Sequence, residues 1–502
     1  MNPSRPVVAG VLSAAAGLAV GEAIAAVLDV RESPLLAVGQ GVIALTPGPI
    51  AEAIIGVVGT ADKPLAVTSV VIAVLALGGV AGRWWDVRRV RSMILVALLV
   101  AGASVAVLVR PYSSAPGVFA AVAGGTAMIV VLQLFAVANR ETSNVHKGGR
   151  RGFLRMVAFV AIGIAVAGGG SQLLAARHRR RRDVERARAA IDLPARSVTI
   201  PAGADLGVAG IAPWNTSNRD FYRIDTALSP PLIDPAEWTL RIHGMVDTEL
   251  TLTYQDVIDR GLTDAWVTLC CVSNPIGGDL IGNTVWGGAS IKDILDDVGV
   301  QSGADALLST SDDGWTCGTP LAALIDGRDA LLAVTMNGEP LPIAHGFPVR
   351  QVVPGLYGYV SATKWVIDWE ITRFSDFEAY WTQRGWGERG PIKTGSRVDL
   401  PRSGAELTPG PTTIGGVAWR QHVGITGVEV RIDDGPWEAA EISSVPTADT
   451  WVQWTLDWTA TPGQHAVVVR ATDGEGVVQT ADIADVLPDG ATGHHVISVG
   501  VA

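Results

Sequence analysis

The first third of this 502-residue chain is dominated by apolar stretches long enough to cross a lipid bilayer. A helix needs about 20 apolar residues to span roughly 30 Å of hydrocarbon. Residues 35–59 are apolar but interrupted by Pro47 and Pro49, which predicts either a further span or a kinked or re-entrant segment. We therefore expect residues 1–176 to form an α-helical transmembrane bundle of five or six helices. The other predicted spans are 7–28, 65–81, 93–109, 117–138 and 156–175.

The charge of the chain is divided as sharply as its hydropathy. Residues 1–200 carry 21 Lys and Arg against 10 Asp and Glu, whereas the remainder carries 17 against 39. A net charge of +11 thus precedes one of −22. The apolar, basic first part excludes a simple cytosolic enzyme. Nucleic acid is excluded as a partner, because the acidic second part would repel phosphate.

The basic connections between the spans predict their orientation. Residues 83–91 and 140–151 are rich in arginine, which places both on the cytoplasmic side, and a sixth span then delivers the rest of the chain outside. The basic run at 177–182 would then lie outside, which conflicts with the tendency of arginine-rich connections to stay on the cytoplasmic side. Arg150 and Arg151, which precede an apolar stretch without acids, are typical of a twin-arginine export signal, although two arginines also mark the cytoplasmic end of many helices. We predict a multi-pass cell-membrane protein whose second part is extracytoplasmic.

The second part divides into three regions by composition. Residues 177–213 are predicted to form a basic helix, solvated or facing lipid headgroups, and a Pro- and Gly-rich linker. Short β-like runs, Gly- and Pro-rich turns and brief helices predict an α+β domain over 214–385. Nucleotide-binding and zincin motifs are absent from it. Period-2 alternation and Asp-Gly turns predict an antiparallel β-sandwich over 390–502.

The sequence has three cysteines, Cys270, Cys271 and Cys317, which are too few for a disulfide framework. Cys271 ends a β-like run and enters a loop of Gly, Asn and Pro, which suits a thiolate presented in a cleft. Cys270 lies on the opposite face of the strand and is predicted to be structural. Nothing in the sequence nominates a histidine base or a zinc ligand set for Cys271. A soft metal needs only this one thiolate if an organic cofactor supplies further sulfurs.

Five motifs, in the same order along about 150 residues, resemble the molybdopterin-binding domain of the sulfite oxidase family. They are NRDFYRIDT at 218–226, LCCVSN at 269–274, STSDDGW at 309–315, LPIAHGFPVR at 341–350 and VPGLYGYVSATKW at 353–365. The resemblance implies Mo-molybdopterin as the cofactor and Cys271, in the L-x-C-x-x-N motif, as the catalytic metal ligand. The cofactor-binding residues that it implies are Asn218, Tyr222, Arg223, Ser311, His345, Arg350, Ser361, Ala362 and Lys364.

Elementary chemistry agrees with two of these assignments. A phosphate dianion is bound well by the fork of an arginine and the point charge of a lysine. Lys292 and Lys364 are the only lysines between residues 214 and 390, and Arg350 follows the glycine and proline of the HGFP segment. We therefore expect Arg350 and Lys364 to be held for a cofactor phosphate.

The sequence departs from the sulfite oxidases in the loop after the cysteine motif. Those enzymes follow the asparagine of the motif with arginines that receive an anionic substrate, whereas Asn274 is followed by the uncharged residues 275–278. This departure argues against sulfite as the substrate. The haem-domain signature of animal sulfite oxidases is also absent, which implies an external electron carrier.

The predicted β-sandwich resembles the immunoglobulin-like dimerisation domain of the family, which implies a homodimer. The sequence thus indicates a membrane-anchored molybdopterin oxidoreductase that carries out two-electron oxygen-atom transfer on a small substrate, in a direction that it does not determine. The alternative is a cofactor-free, membrane-tethered binding or scaffold protein that retains the fold.

Overall fold

The computed structural model describes residues 4–28, 30, 32–47, 50, 62–110, 115–143, 157, 158, 160, 170–193 and 198–502. Arg150, Arg151 and most of the predicted span at 156–175 lie outside the described residues. The chain divides into two compact units. One comprises Met1–Arg186 with Thr226–Leu232, and the other comprises Ala187–Asp225 with Ile233–Ala502.

The first unit is built from apolar helices. Among the described residues, four helices are long and apolar enough to cross a membrane, and they coincide with four of the predicted spans. Helix α2 has 12 residues and ends before Pro47, and residues 51–61 of that predicted stretch lie outside the described part. The helices are α1 (Ser4–Val27), α2 (Pro34–Leu45), α3 (Asp62–Trp85), α4 (Arg89–Leu108), α5 (Ala115–Ser143) and α6 (Gly170–Ala190).

Glycines bring the backbone of α1 close to α3 and α5. A Cβ added at Gly10 would lie 2.0 Å from the Gly78 oxygen, and one added at Gly17 would lie 2.8 Å from the Gly124 oxygen. Such contacts exclude any larger side chain. Small residues are typical of helices that associate inside a membrane, because lipid offers no hydrophobic driving force and close van der Waals contact replaces it.

Two sheets form the predicted α+β domain. The first has the order β2-β1-β10-β5-β6, with β1 parallel to β10 and its other pairs antiparallel, and the second has the order β3-β4-β7-β8, with β9 also paired to β7. The predicted runs at 238–242, 266–269 and 364–372 fall on β1, β3 and β10. The strands are β1 (Thr239–Gly244), β2 (Leu250–Thr253), β3 (Thr263–Cys270), β4 (Ile281–Ser290), β5 (Ala306–Ser311), β6 (Thr316–Pro320), β7 (Leu331–Met336), β8 (Glu339–Pro340), β9 (Arg350–Val352) and β10 (Val366–Thr372), and the helices are α7 (Tyr254–Asp259), α8 (Ile291–Val298) and α9 (Ala322–Ile325).

The C-terminal region consists of two sheets, with the orders β11-β13-β17-β16 and β12-β19-β18-β14-β15. Both contribute to one apolar core, which includes Ile414 and Trp454 from one sheet and Val430, Val467 and Ile497 from the other. The predicted β-rich region is confirmed, and its immunoglobulin-like character stays a prediction. The strands are β11 (Gly395–Leu400), β12 (Glu406–Leu407), β13 (Gly410–Trp419), β14 (Ile425–Ile432), β15 (Trp437–Ala439), β16 (Glu441–Ile442), β17 (Val452–Ala460), β18 (Gly463–Asp473) and β19 (His495–Val501).

Strand β3, which leads to Cys271, is held by the C-terminal region. The Thr268 amide donates to the Asp449 carbonyl at 2.9 Å, and the Thr268 hydroxyl accepts from the Trp451 amide at 2.8 Å. The same hydroxyl donates to the side-chain oxygen of Asn283 on β4 at 2.9 Å. Thr268 is fully buried, so these bonds are shielded from water. They hold the end of β3 both to the C-terminal region and to β4.

Candidate active site

The chain leaves β3 immediately before Cys271 and forms a loop that returns at β4. The Cys271 amide donates to the Leu280 carbonyl at 2.9 Å, and the Asn274 amide donates to the Cys271 carbonyl at 3.1 Å. The Asn274 side chain closes the loop by accepting from the Leu280 amide at 2.9 Å. The asparagine of the motif therefore braces the loop, and Cys271 stays partly exposed at its start.

The two adjacent cysteines face different surroundings. Cys270 is buried and lines a small pocket together with Asn274, Ile276 and Trp419, and Cys271 is not among the lining residues. Burial raises the pKa of the Cys271 thiol, whereas hydrogen bonds from the backbone and hydroxyl of Ser273 lower it. A bound metal cation would favour the thiolate at this position, because a coordinating thiol loses its proton.

Tyr222 lies between the cysteine loop and a buried arginine. Burial and then the nearby Cys271 thiolate raise the pKa of the Tyr222 phenol, whereas Arg350 lowers it. The phenol therefore keeps its proton at neutral pH. The ring of Phe221 stacks on Tyr222 with centroids 5.2 Å apart and meets the Trp286 ring edge-on at 5.6 Å. Sequence reasoning nominated neither Phe221 nor Trp286 as a site residue, because aromatic residues in strands and loops are most often core.

Arg350 is buried without a carboxylate partner. Its side chain donates to the carbonyls of His345 at 3.1 Å and Ala362 at 3.5 Å, and its guanidinium lies 4.7 Å above the Trp286 ring. Within the described part of the chain no acidic group forms an ion pair with it. Burial lowers the pKa of Arg350 to about 10, which still leaves it charged at neutral pH. A buried cation held only by carbonyls and an aromatic face is costly, and an anionic ligand would offset this cost.

Lys364 lies directly across from Arg350 in an antiparallel bridge. Its ammonium donates to Asp225 at 2.8 Å, and Asp225 also accepts from Arg223 at 2.8 Å. Burial lowers the pKa of Lys364 to about 8, against the opposing effect of Asp225. Asp225 was not nominated from the sequence, although it lies within the first motif and its carboxylate positions two of the predicted site cations.

His345 is neutral in these surroundings. Burial first, and then the charges of Arg350 and Lys364, lower the pKa of His345 to about 4. Its Nε2 therefore donates to the Asn218 carbonyl at 3.1 Å. The Asn218 side chain donates to the Met336 carbonyl at 3.2 Å, so both residues hold the pocket wall.

The three remaining predicted residues contribute in different ways. Ser361 is buried, and its hydroxyl donates to the carbonyls of Leu356 and Tyr357, so it stabilises its own turn. Ala362 supplies the carbonyl that Arg350 contacts. The Ser311 hydroxyl is buried and has no hydrogen-bond partner among the described residues, which leaves it available to a polar ligand atom.

Comparison with known proteins agrees with this geometry. The family model described as oxidoreductase molybdopterin binding domain matches residues 227–381. An uncharacterised oxidoreductase of Bacillus subtilis, YuiH, is 31% identical over 180 residues, which cover 36% of this chain and 87% of that protein. The chain belongs to the sulfite oxidase family of molybdenum oxidoreductases. This membership makes it a molybdenum-dependent oxidoreductase with Mo-molybdopterin as its cofactor and decides against the cofactor-free scaffold.

More distant family members cover more of the chain. The sulfite oxidase of Gallus gallus is 28% identical over 325 residues, which cover 54% of this chain and 69% of that enzyme. The mitochondrial sulfite oxidase of Homo sapiens is 27% identical, and this chain spans 56% of its length. Among solved structures, the sulfane dehydrogenase SoxCD of Paracoccus pantotrophus aligns with a TM-score of 0.49 at 22% identity, covering 54% of this chain and 76% of the other.

The residues present fit the family's cofactor. A buried arginine without an acidic partner suits a phosphate group, and the unpartnered Ser311 hydroxyl suits a polar pterin atom. The partly exposed Cys271 thiol suits molybdenum. The individual contacts between the cofactor and the nine predicted residues stay predictions.

The lowered pKa of Lys364 generates a prediction about cofactor retention. Because this pKa is about 8, Lys364 loses its charge as the pH rises through that value. We expect purified enzyme to release its cofactor faster above about pH 8, since one of the two cations predicted to bind the phosphate then loses its charge. The measurement is the molybdenum retained after gel filtration at a series of pH values.

Two variants sharpen this test. Lys364→Met should release the cofactor quickly at every pH and show no step near pH 8. Lys292→Met removes an exposed lysine that pairs with Asp296, so it should follow the wild type. A Lys364→Met protein with the wild-type pH dependence would contradict the role of Lys364.

Proposed function

We propose that this enzyme is anchored in a membrane and transfers an oxygen atom, with two electrons, to or from a small substrate on the extracytoplasmic side. The observation that carries the proposal is the pair of cations Arg350 and Lys364, which face each other across an antiparallel bridge, with the Tyr222 phenol near both Arg350 and the Cys271 loop. A cation pair of this kind beside a single thiol suits a ligand that has a phosphate at one end and a metal at the other.

Each residue has a defined task in this proposal. Cys271 would hold the molybdenum, and Arg350 and Lys364 would hold the cofactor phosphate. When bound, the cofactor supplies the two-electron chemistry. Tyr222 keeps its proton because of its raised pKa and would donate a hydrogen bond to the bound cofactor or substrate. Neutral His345 keeps the pocket wall in place through Asn218.

We propose a neutral substrate of the sulfoxide or N-oxide class, although named relatives are sulfite oxidases. Residues 275–278 are uncharged, and the exposed residue that follows them, Asp279, is acidic. Arg397 contacts this loop through the Gly278 carbonyl at 2.7 Å, but it is paired with Asp399. Lys393, beside the same cavity, is paired with Asp489 at 2.7 Å. Each of these two cations is neutralised by a carboxylate of its own and binds a sulfite anion weakly. Lys364 differs because it shares the single carboxylate of Asp225 with Arg223, which leaves a net positive charge.

The proposed oxidoreductase function also implies partners. We propose an external electron carrier, because the molybdenum cofactor must exchange electrons in every turnover, and the family resemblance implies no second redox group in this chain. We also propose a homodimer formed through the C-terminal β-rich region. The four helices that are long and apolar enough to cross a bilayer support a multi-pass anchor.

Replacing each of the two adjacent cysteines separately by serine tests the proposed function. Cys271→Ser should abolish turnover, because a serine hydroxyl does not replace a thiolate as a ligand for molybdenum. Cys270→Ser changes the neighbouring buried thiol and should retain molybdenum and activity. Metal content and steady-state rates of both variants provide the measurement. Full activity in Cys271→Ser, or wild-type protein free of molybdenum, would contradict the proposal.

A competition between substrates tests the proposed substrate class. We expect methionine sulfoxide to be reduced with a higher kcat/KM than that for sulfite oxidation, because the cations beside the loop are paired. A double variant with Pro275→Arg and Ile276→Arg adds unpaired cations and should increase the activity with sulfite. Efficient sulfite oxidation by the wild type, together with inactivity on sulfoxides and N-oxides, would contradict this proposal.

Protease accessibility tests the location of the active site. Changing Arg150 and Arg151 to lysine should leave the second unit inside the cell, because the twin-arginine pathway discriminates between the two side chains. The same change at Arg88 and Arg89, at the start of α4, also replaces two adjacent arginines by lysines but lies outside the predicted signal, so it serves as the control. Digestion of intact spheroplasts by an external protease measures the outcome. Equal digestion of both variants would contradict the export signal.

A further inference from the structure

Residues 340–347 are here called the cofactor loop. The loop begins at the end of β8, contains His345 and leads towards β9, which starts at Arg350. Side chains of the site hold the backbone of its second half. The His345 carbonyl accepts from Arg350 at 3.1 Å, the Ala344 carbonyl accepts from Lys364 at 3.5 Å, and the Ile343 carbonyl accepts from the Trp365 indole at 3.0 Å. The conformation of the cofactor loop is thus coupled to the cations that face the phosphate.

The first half of the cofactor loop is held by a residue from outside the five motifs. Arg188 donates from Nε to the Leu341 carbonyl at 2.8 Å and to the Pro340 carbonyl at 3.1 Å. Its Nη2 donates to the same Pro340 carbonyl at 2.5 Å. Hydrogen bonds from a guanidinium are charge-assisted, and its planar fork restricts the direction of both carbonyls.

Arg188 differs from the other described arginines near it on α6. Arg181 and Arg186 form exposed pairs with acids one turn away on the same helix, Glu185 and Asp183. The Arg188 side chain is only 26% exposed, and it reaches off the helix, where it pairs with Glu339 of β8 at 3.6 Å. Its charge also acts on buried Tyr254. The sequence predicted a solvated or headgroup-facing helix, which describes Arg181 and Arg186 but not Arg188.

We infer that Arg188 is a positioning residue for the molybdenum cofactor, through its hold on the Pro340 and Leu341 carbonyls at the start of the cofactor loop. Arg188 fixes the start of the loop, and Arg350 and Lys364 fix its end, so that the loop presents His345 and Arg350 in one geometry. The last turn of the basic helix therefore belongs to the cofactor site. This inference rests on the proposed role of Arg350 and Lys364.

The test compares three variants of the full-length protein purified from membranes in detergent. Arg188→Ala removes the fork, Arg188→Lys keeps the charge without the fork, and Arg186→Ala changes an exposed arginine on the same helix. The two measurements are molybdenum per protein after gel filtration and backbone hydrogen exchange in the cofactor loop. The informative amides are those of His345, Gly346 and Phe347, which donate within the loop.

We expect Arg188→Ala to retain roughly tenfold less molybdenum than Arg186→Ala, which corresponds to about 1.4 kcal/mol. Exchange at the three loop amides should be faster in Arg188→Ala and intermediate in Arg188→Lys. If Arg188→Ala fails to fold, the same two measurements on Arg188→Lys and Arg186→Ala test the inference. The inference would be overturned if the Arg188 variants kept the hydrogen exchange and the molybdenum content of Arg186→Ala. A lower Tm without a change in either measurement would show a merely structural role and would also overturn it.

Failure of the proposed function is distinguishable from failure of this inference. Wild-type protein that contains no molybdenum would contradict the function, and hydrogen exchange would still report whether Arg188 orders the loop. Wild-type protein rich in molybdenum whose Arg188 variants match Arg186→Ala would contradict the inference alone.

Discussion

The site depends on a buried guanidinium that has no carboxylate partner in the described part of the chain. Burying such a charge costs free energy unless polar groups and a ligand of opposite charge replace water. Here carbonyls of His345 and Ala362 and the face of Trp286 surround Arg350, whereas the nearby carboxylate of Asp225 is taken by Lys364 and Arg223. The nearby acid is thus occupied by other cations, which leaves Arg350 without a carboxylate among the described residues.

The thiol of the site is positioned by a different set of contacts. Thr268 connects β3 to Asp449 and Trp451 of the C-terminal region and to Asn283 of β4, and Asn274 closes the loop that follows. The C-terminal β-rich region therefore stabilises the strand that ends at Cys271. The position of Cys271, the predicted metal ligand, depends on this tertiary contact, although Cys271 itself lies in a local motif.

Local patterns predicted much of the fold. Four apolar stretches became helices long enough to cross a membrane, because span length is a local property. The position of Cys271 just after β3 follows from a β-like run that enters a Gly- and Pro-rich loop. The motif at 341–350 predicted Arg350 as a cofactor-binding residue, which stays a prediction, and the structure adds that its side chain is buried. The same reasoning predicted Ser361, whose hydroxyl bonds within its own turn.

The sequence by itself determined the class of chemistry, since a cysteine at the end of a β-like run, five motifs in order and an acidic region that follows apolar stretches are properties of composition and spacing. Only the tertiary structure decided which charges are neutralised. Asp225 pairs with Lys364 across 139 residues, and Arg188 reaches the Leu341 carbonyl across 153. Such partners are chosen by the packing of strands and loops, because an ion pair depends on distance and burial in space and not on separation along the chain.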